Sequence, residues 1–246
     1  MAETLFLTVA SFLCATLSGV LGLGGGSILI VLMLTIMSPA VAIPFHGVIQ
    51  LVATGNRVIL FRRFTAWPLV ARYSVLLLPG VAVGMLLFQG LTEDVIKAAI
   101  GAFVLTALFI RRLQVFRERD VPPMVFVPFG FVVGAVSIIV GGVGVLFAPF
   151  VMRDGLQKEG VVGTQSTMAA MTHLAKVAAF GVVGFRFDDH LLAFALILPA
   201  VVVGGYAGRA LLHRVNDRFF LWAYQTTLVV LSVKLIVWDG LWRFWS

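Results

Sequence analysis

The sequence predicts an all-α polytopic membrane protein, two inverted structural repeats with glycine-broken helices and about 8 to 10 membrane segments in all. Three observations carry this. Of the 246 residues, 61% are hydrophobic and 12% charged, and the mean hydropathy is +1.07, whereas soluble domains run near half apolar and a quarter charged. Two runs of clustered glycines interrupt apolar stretches that would otherwise continue as helices. The second half of the chain also matches the first at a nearly constant offset.

The apolar stretches run, in chain order, over 4–37, 40–61, 67–90, 95–110, 124–152, 161–185, 191–212 and 219–238. Most reach the roughly 20 residues that a helix needs to cross a bilayer. The first holds Gly19, Gly22, Gly24, Gly25 and Gly26, and the fifth holds Gly134, Gly141, Gly142 and Gly144. Such runs weaken a helix and free backbone N–H groups, which a membrane tolerates only where protein or a water-filled cavity satisfies them. Both stretches are expected to be broken, each into a full helix and a half-helix.

An offset of 119 residues sets Ser18 on Ser137, Gly22 on Gly141, Gly25 on Gly144, Arg57 on Lys176 and Phe61 on Phe180. One inserted residue makes the offset 120, and Leu78-Pro79-Gly80-Val81-Ala82-Val83-Gly84 then falls on Leu198-Pro199-Ala200-Val201-Val202-Val203-Gly204. The expected halves are 1–115 and 116–246, divided within the polar stretch 111–123. With Arg57 and Lys176 set aside as buried, 16 of the 18 basic residues remain. Five crossings per half put 12 of them on one face and 4 on the other, while four crossings give 10 and 6. The positive-inside rule favours the odd number, hence inverted halves with both termini outside the cytoplasm. Because the net charge of +7 is spread over short loops, it gives no stripe for nucleic acid.

Several chemistries are disfavoured. Cys14 is the single cysteine and forms neither an internal disulfide nor a redox pair. His46, His173, His190 and His213 lack cysteine or carboxylate partners at ligand spacing, so no metal or cofactor is expected. No nucleophile with a base stands among the spans, so the chain is not read as an enzyme.

What remains inside the spans is cationic and polar. Counted at 100° per residue from His46, Gln50 falls at about 40° and Arg57 at about 20°, one narrow helix face. From Gln165, Lys176 falls at about 20°, Thr172 at about 340° and His173 at about 80°. An ionisable residue within a span is a functional hypothesis by default, although Arg57, near Arg62, could equally snorkel to the headgroups. A half-helix starting at Ser27 and capped by it, or starting just after Gly144, would aim free N–H groups at the interior, a ready anion site. Close helix packing is the other use of such glycines. All eleven acidic residues fall in loops, at the termini or at segment ends. The centre thus suits an anion, and His46 and His173 are its only groups able to exchange a proton near neutrality.

Gly22-Leu23-Gly24-Gly25-Gly26, its degraded copy Gly141-Gly142-Val143-Gly144, and Gly163-Thr164-Gln165-Ser166 leading to Lys176 resemble the sulfite exporter TauE/SafE family, also called the toluene sulfonate uptake permease family. The resemblance implies a secondary transporter that moves a small sulfur-containing anion, such as sulfite, a sulfonate or sulfoacetate, across the bacterial inner membrane by alternating access. Carried over by position, it puts Gly24, Gly25, Gly26, Ser27, His46, Gln50 and Arg57 of the first half on the substrate path. From the second half it adds Gly141, Gly142, Gly144, Thr164, Gln165, Ser166, His173 and Lys176. Val143 and Val145 depart from the family's three consecutive glycines, so the two halves need not serve equally. Expected partners are the anion and membrane lipid. The coupling ion, with the proton one option, and homo-oligomerisation stay open. An anion channel or a non-transporting membrane assembly factor are the competing readings.

Overall fold

A computed structural model describes residues 2–21, 25–113, 121–151, 156–211 and 217–241, and all regular structure among them is helical. Gly22, Leu23, Gly24 and the expected boundary between 115 and 116 lie outside the described residues. The first half contributes α1 (Ala2–Leu21), α2 (Gly25–Met33), α3 (Pro39–Phe61), α4 (Trp67–Val75), α5 (Leu77–Gly90) and α6 (Glu93–Leu113). The second contributes α7 (Phe126–Val140), α8 (Phe147–Val151), α9 (Lys158–Val182), α10 (Leu191–Leu211) and α11 (Asp217–Ile236).

The third apolar stretch is not one straight helix. It bends by 42° between α4 and α5, because the ring of Pro79 opposes the carbonyl of Val75 four residues earlier, where α4 ends. Its counterpart Pro199 sits inside α10, which stays a single element. By length and composition, 123–140 and 187–208 can each cross a membrane, and the bent pair makes a third if it is one span. Large apolar side chains also face outward: Leu86 is 72% exposed, Leu192 77% and Val182 88%. Water would not tolerate such an exterior, and a lipid bilayer satisfies it.

The helices pair across the halves. α1 packs on α10 and α7 on α5, while α3 packs on α9 and α6 on α11. Glycines make the closest crossings possible. A Cβ on Gly84 would stand 2.5 Å from the carbonyl oxygen of Ala135, and one on Gly134 would stand 2.5 Å from that of Leu77. Gly204 on α10 meets the carbonyl of Phe12 on α1 in the same way. Gly80 with Gly84 and Gly130 with Gly134 are each four residues apart, the small-residue spacing that lets membrane helices touch backbone to backbone.

α3 and α9 run antiparallel. Gly163, near the start of α9, lies beside Phe61 at the end of α3, and Gly47, near the start of α3, lies beside Lys176 and Val177. The backbone N–H of Ala66 donates to Thr164 Oγ1 at 2.8 Å, and Tyr73 Oη shares a 2.6 Å hydrogen bond with Thr172 Oγ1. These two bonds anchor the α3–α4 region on α9. The start of α2, at Gly26, and the turn that ends α7, at Gly141, both pack against α3 of this pair.

Candidate functional site

Where α2 and the segment after α7 meet the α3–α9 pair there is a cleft of about 500 Å³, its open mouth included. α3 lines it with His46, Gln50, Thr54 and Arg57, and α9 with Gln165, Ser166, Ala169 and His173. Ser18 of α1 and Gly26 and Ser27 of α2 close it on one side, and Gly142, Val143 and Gly144 of the second break on the other. None of these residues is acidic. Side chains four residues apart on one helix face the same way, so His46, Gln50 and Thr54 stack along α3 as Gln165, Ala169 and His173 do along α9.

His46 is fully buried, and its Nε2 lies 2.9 Å from the carbonyl oxygen of Gly26. A carbonyl only accepts, so Nε2 carries the hydrogen and donates it. The bond ties α3 to the start of α2. The His46 and His173 rings stand edge to face with centroids 6.0 Å apart, and the Nδ1 atoms of both are buried with no hydrogen-bond partner among the described residues. Thr54 Oγ1 donates to the carbonyl of Gln50 at 2.7 Å, which leaves its lone pairs for a guest. Arg57 is half-buried, with its Nε enclosed.

The second break has its own geometry. Gly141 ends α7 at φ 76° and ψ −52°, and the N–H of Gly142 donates to the carbonyl of Val140 at 2.9 Å. This is the rare three-residue γ-turn with positive φ, a conformation that glycine accepts and side-chain-bearing residues resist. It leaves the Gly141 carbonyl free of the helix ladder, and the fully buried Lys176 donates its Nζ to it at 2.5 Å.

Two expectations about the helix starts need correcting, and some of the expected site residues lie off the cleft's lining. Ser27 is not the cap of the first half-helix, because α2 already starts at Gly25, and glycine at a helix start needs no side chain to hold the turn. The chain after Gly144 does not start as an α-helix: a 3₁₀ turn, Gly144–Leu146, comes first and leads into α8, described over Phe147–Val151, so the N–H groups at Gly144 do not head an α-helical dipole. Lys176 faces the Gly141 carbonyl and is not among the cleft's lining residues. Thr164 is engaged with Ala66, and Gly25 packs against Cys14 and Ser18 of α1. Gly24 lies outside the described residues.

Four lining residues were not foreseen: Ser18, Thr54, Val143 and Ala169. The 119-residue offset carried a signal for two of them, since it sets Thr54 on His173 and Ser18 on Ser137. Val143 and Ala169 are apolar residues in an apolar chain and stand out by nothing.

No curated protein and no solved structure matches the chain. The family model described as Sulfite exporter TauE/SafE matches residues 7–235, which includes both glycine breaks and the whole α3–α9 pair, so the chain belongs to that family.

Proposed function

We propose that the cleft is the substrate site of a secondary transporter for a small sulfur-containing oxyanion, which operates by alternating access in a bacterial inner membrane. The observation that carries this reading is the charge of the cleft: Arg57 lines it, Lys176 sits just behind the wall at Gly141, and none of the lining residues is a carboxylate. An isolated anion in a low-dielectric interior needs such cations and donors to replace its water. Gln50 and Gln165 offer amide N–H groups, and Ser18, Ser27 and Ser166 offer hydroxyls. In this reading Arg57 supplies charge, the amides and hydroxyls orient the oxygens, and Lys176 keeps the second break in place.

The alternating mechanism follows from two halves, 1–115 and 116–246, related by inversion. It is supported by the crossed packing of α1 on α10 and α7 on α5, and by the antiparallel α3–α9 pair. Because 119 is added to an α3 residue and subtracted from an α9 residue, the offset carries every antiparallel α3–α9 pairing onto another of the same register, as a two-fold axis crossing the pair would require. Rocking one half against the other about that axis would open the cleft first to one side and then to the other.

A thermal-shift screen of the purified protein against sulfite, thiosulfate, sulfate, sulfoacetate and taurine tests the site. At least one is expected to raise the melting temperature, and Arg57→Gln is expected to abolish the effect. Saturable counterflow in proteoliposomes separates a carrier from a channel. If no anion stabilises the protein and none is transported, this function is wrong.

A further inference from the structure

We infer that the cleft takes up its anion together with one proton, and that His46 Nδ1 is the atom that receives it. The inference rests on the anion-site reading above and adds the coupling ion to it.

The argument starts from hydrogen-bond inventory. A neutral imidazole has one N–H donor and one acceptor nitrogen. At His46 the carbonyl of Gly26 fixes which is which: Nε2 donates, so Nδ1 holds the lone pair. That lone pair is buried in a side chain 0% exposed and has no partner among the described residues. A buried polar atom left alone is costly and rare, and it asks for an explanation. An acceptor can only be satisfied by a donor. A fully deprotonated oxyanion has no hydrogen to give, so it would face the Nδ1 lone pair with its own lone pairs and be repelled.

A proton resolves the conflict. When it binds Nδ1, the ring becomes an imidazolium with two donors: Nε2–H stays on Gly26 and Nδ1–H becomes available to an anion oxygen. Charge then favours the two guests entering together. The charged side chains beside the two rings are Arg57 of α3, which lines the same cleft, and Lys176 of α9, which lies against Gly47 next to His46; α9 also carries Lys158 and Glu159 at its start. α2 and α7, which also pack on α3, contain no titratable residue. α6 carries Glu93, Asp94 and Lys97 at one end and Arg111 and Arg112 at the other. On the α10 side, His190 stands against Phe45, and α10 itself bears Tyr206 and Arg209 toward its end. Positive charge around the rings opposes an added proton when the cleft is empty, and the arriving anion offsets it. Each guest raises the affinity for the other, as linkage requires. The proton comes from water on the side where the anion enters, forms an N–H bond at Nδ1, and returns to water on the side where the anion leaves.

Isothermal titration calorimetry of sodium thiosulfate into the purified full chain near neutral pH, in two buffers of different ionisation enthalpy, reads the proton directly. Thiosulfate carries no proton at that pH, so any uptake belongs to the protein. The expected result is about one proton taken up per anion bound. His46→Gln keeps a side-chain N–H for Gly26 and cannot hold a proton. It is expected to bind thiosulfate more weakly and with uptake near zero. Binding by the wild type without proton uptake overturns the inference and leaves the anion site standing. Uptake retained in His46→Gln, or lost in His173→Gln while His46→Gln keeps it, overturns the assignment to His46. If neither thiosulfate nor any other anion of the screen binds the wild type, the anion site itself fails and the inference falls with it.

Discussion

Lys176 Nζ donates to the carbonyl oxygen of Gly141 at 2.5 Å, so a cation of α9 holds the turn that ends α7. The stem of Lys176 lies against Gly47 of α3, where a Cβ would stand 3.4 Å from its Cδ. One side chain thereby joins the second break, the long helix of its own half and the long helix of the other. Lys176→Met is expected to leave the protein folded but to strand a buried carbonyl, a cost of about 1–3 kcal/mol. The wall formed by Gly142, Val143 and Gly144 would lose its anchor, so anion affinity should fall by about tenfold or more, equal to at least about 1.4 kcal/mol. A melting curve and an anion titration on the same preparation check both parts. Unchanged affinity would show that the turn holds its place without the lysine.

The sequence resolved the class of the fold more easily than the edges of its site. An apolar chain with few charges leaves helices in lipid as the main solution, and helical period alone put His46, Gln50 and Arg57 on one face. Thr54 lies at about 80° from His46 on that count, as His173 does from Gln165, yet a hydroxyl that can donate to its own helix gives a weak signal in sequence. Ala169 and Val143 give none, because nothing separates an apolar cleft wall from an apolar core until the partner helix is in place. The cap at Ser27 and the half-helix after Gly144 fail for a related reason. In a run of glycines, helix propensity does not fix where the chain re-enters a helix, and the positive φ of Gly141, set by tertiary packing, decided it in the second half.

Gly26 and Gly144 both line the cleft and should respond differently to alanine. At Gly26 the new methyl would stand 3.0 Å from Gln50 Cδ and Oε1 and 3.2 Å from Nε2. The Gln50 amide is the end of a flexible side chain and can move aside, so the fold should survive while the amide loses its aim at a guest. At Gly144 nothing lies within 4 Å of the added atom. Gly26→Ala is therefore expected to weaken anion binding several-fold more than Gly144→Ala, with both proteins melting within a few degrees of wild type. Equal effects on binding would remove Gln50 from the site.

The α5–α7 crossing predicts the opposite, a loss of fold. A Cβ on Gly80 or Gly130 would overlap the backbone carbonyl of Phe131 or Tyr73, and backbone cannot rotate away as a side chain can. Gly130→Val should separate the helices and cost several kcal/mol, in the range of overpacked cores. The readout is yield and melting temperature in detergent. Gly55→Ala and Gly205→Ala, whose added methyl would meet nothing within 4 Å, are the controls and should behave as wild type. A normal melting curve for Gly130→Val would mean that the two helices do not touch there.

Sidedness tests the inverted relation of the halves most directly. Because α3 and α9 are antiparallel, the turn after α3, with Arg62 and Arg63, and the segment after α9, with Asp188 and Asp189, lie at opposite ends of the pair. Their charges differ in kind: the first is basic, while in the second Arg186 pairs with Asp188 at 2.9 Å and lies 3.5 Å from Asp189. Basic loops stay in the cytoplasm and acidic ones carry little orienting weight, so the first turn should face inward and the second outward. In a Cys14→Ser background, Arg63→Cys is expected to react with a membrane-impermeant thiol reagent only after the cell membrane is opened. Asp189→Cys is expected to react in intact cells. Labelling of both from the same side would mean that the pair does not traverse the membrane, and a two-fold axis across the α3–α9 pair would then have no membrane to invert across.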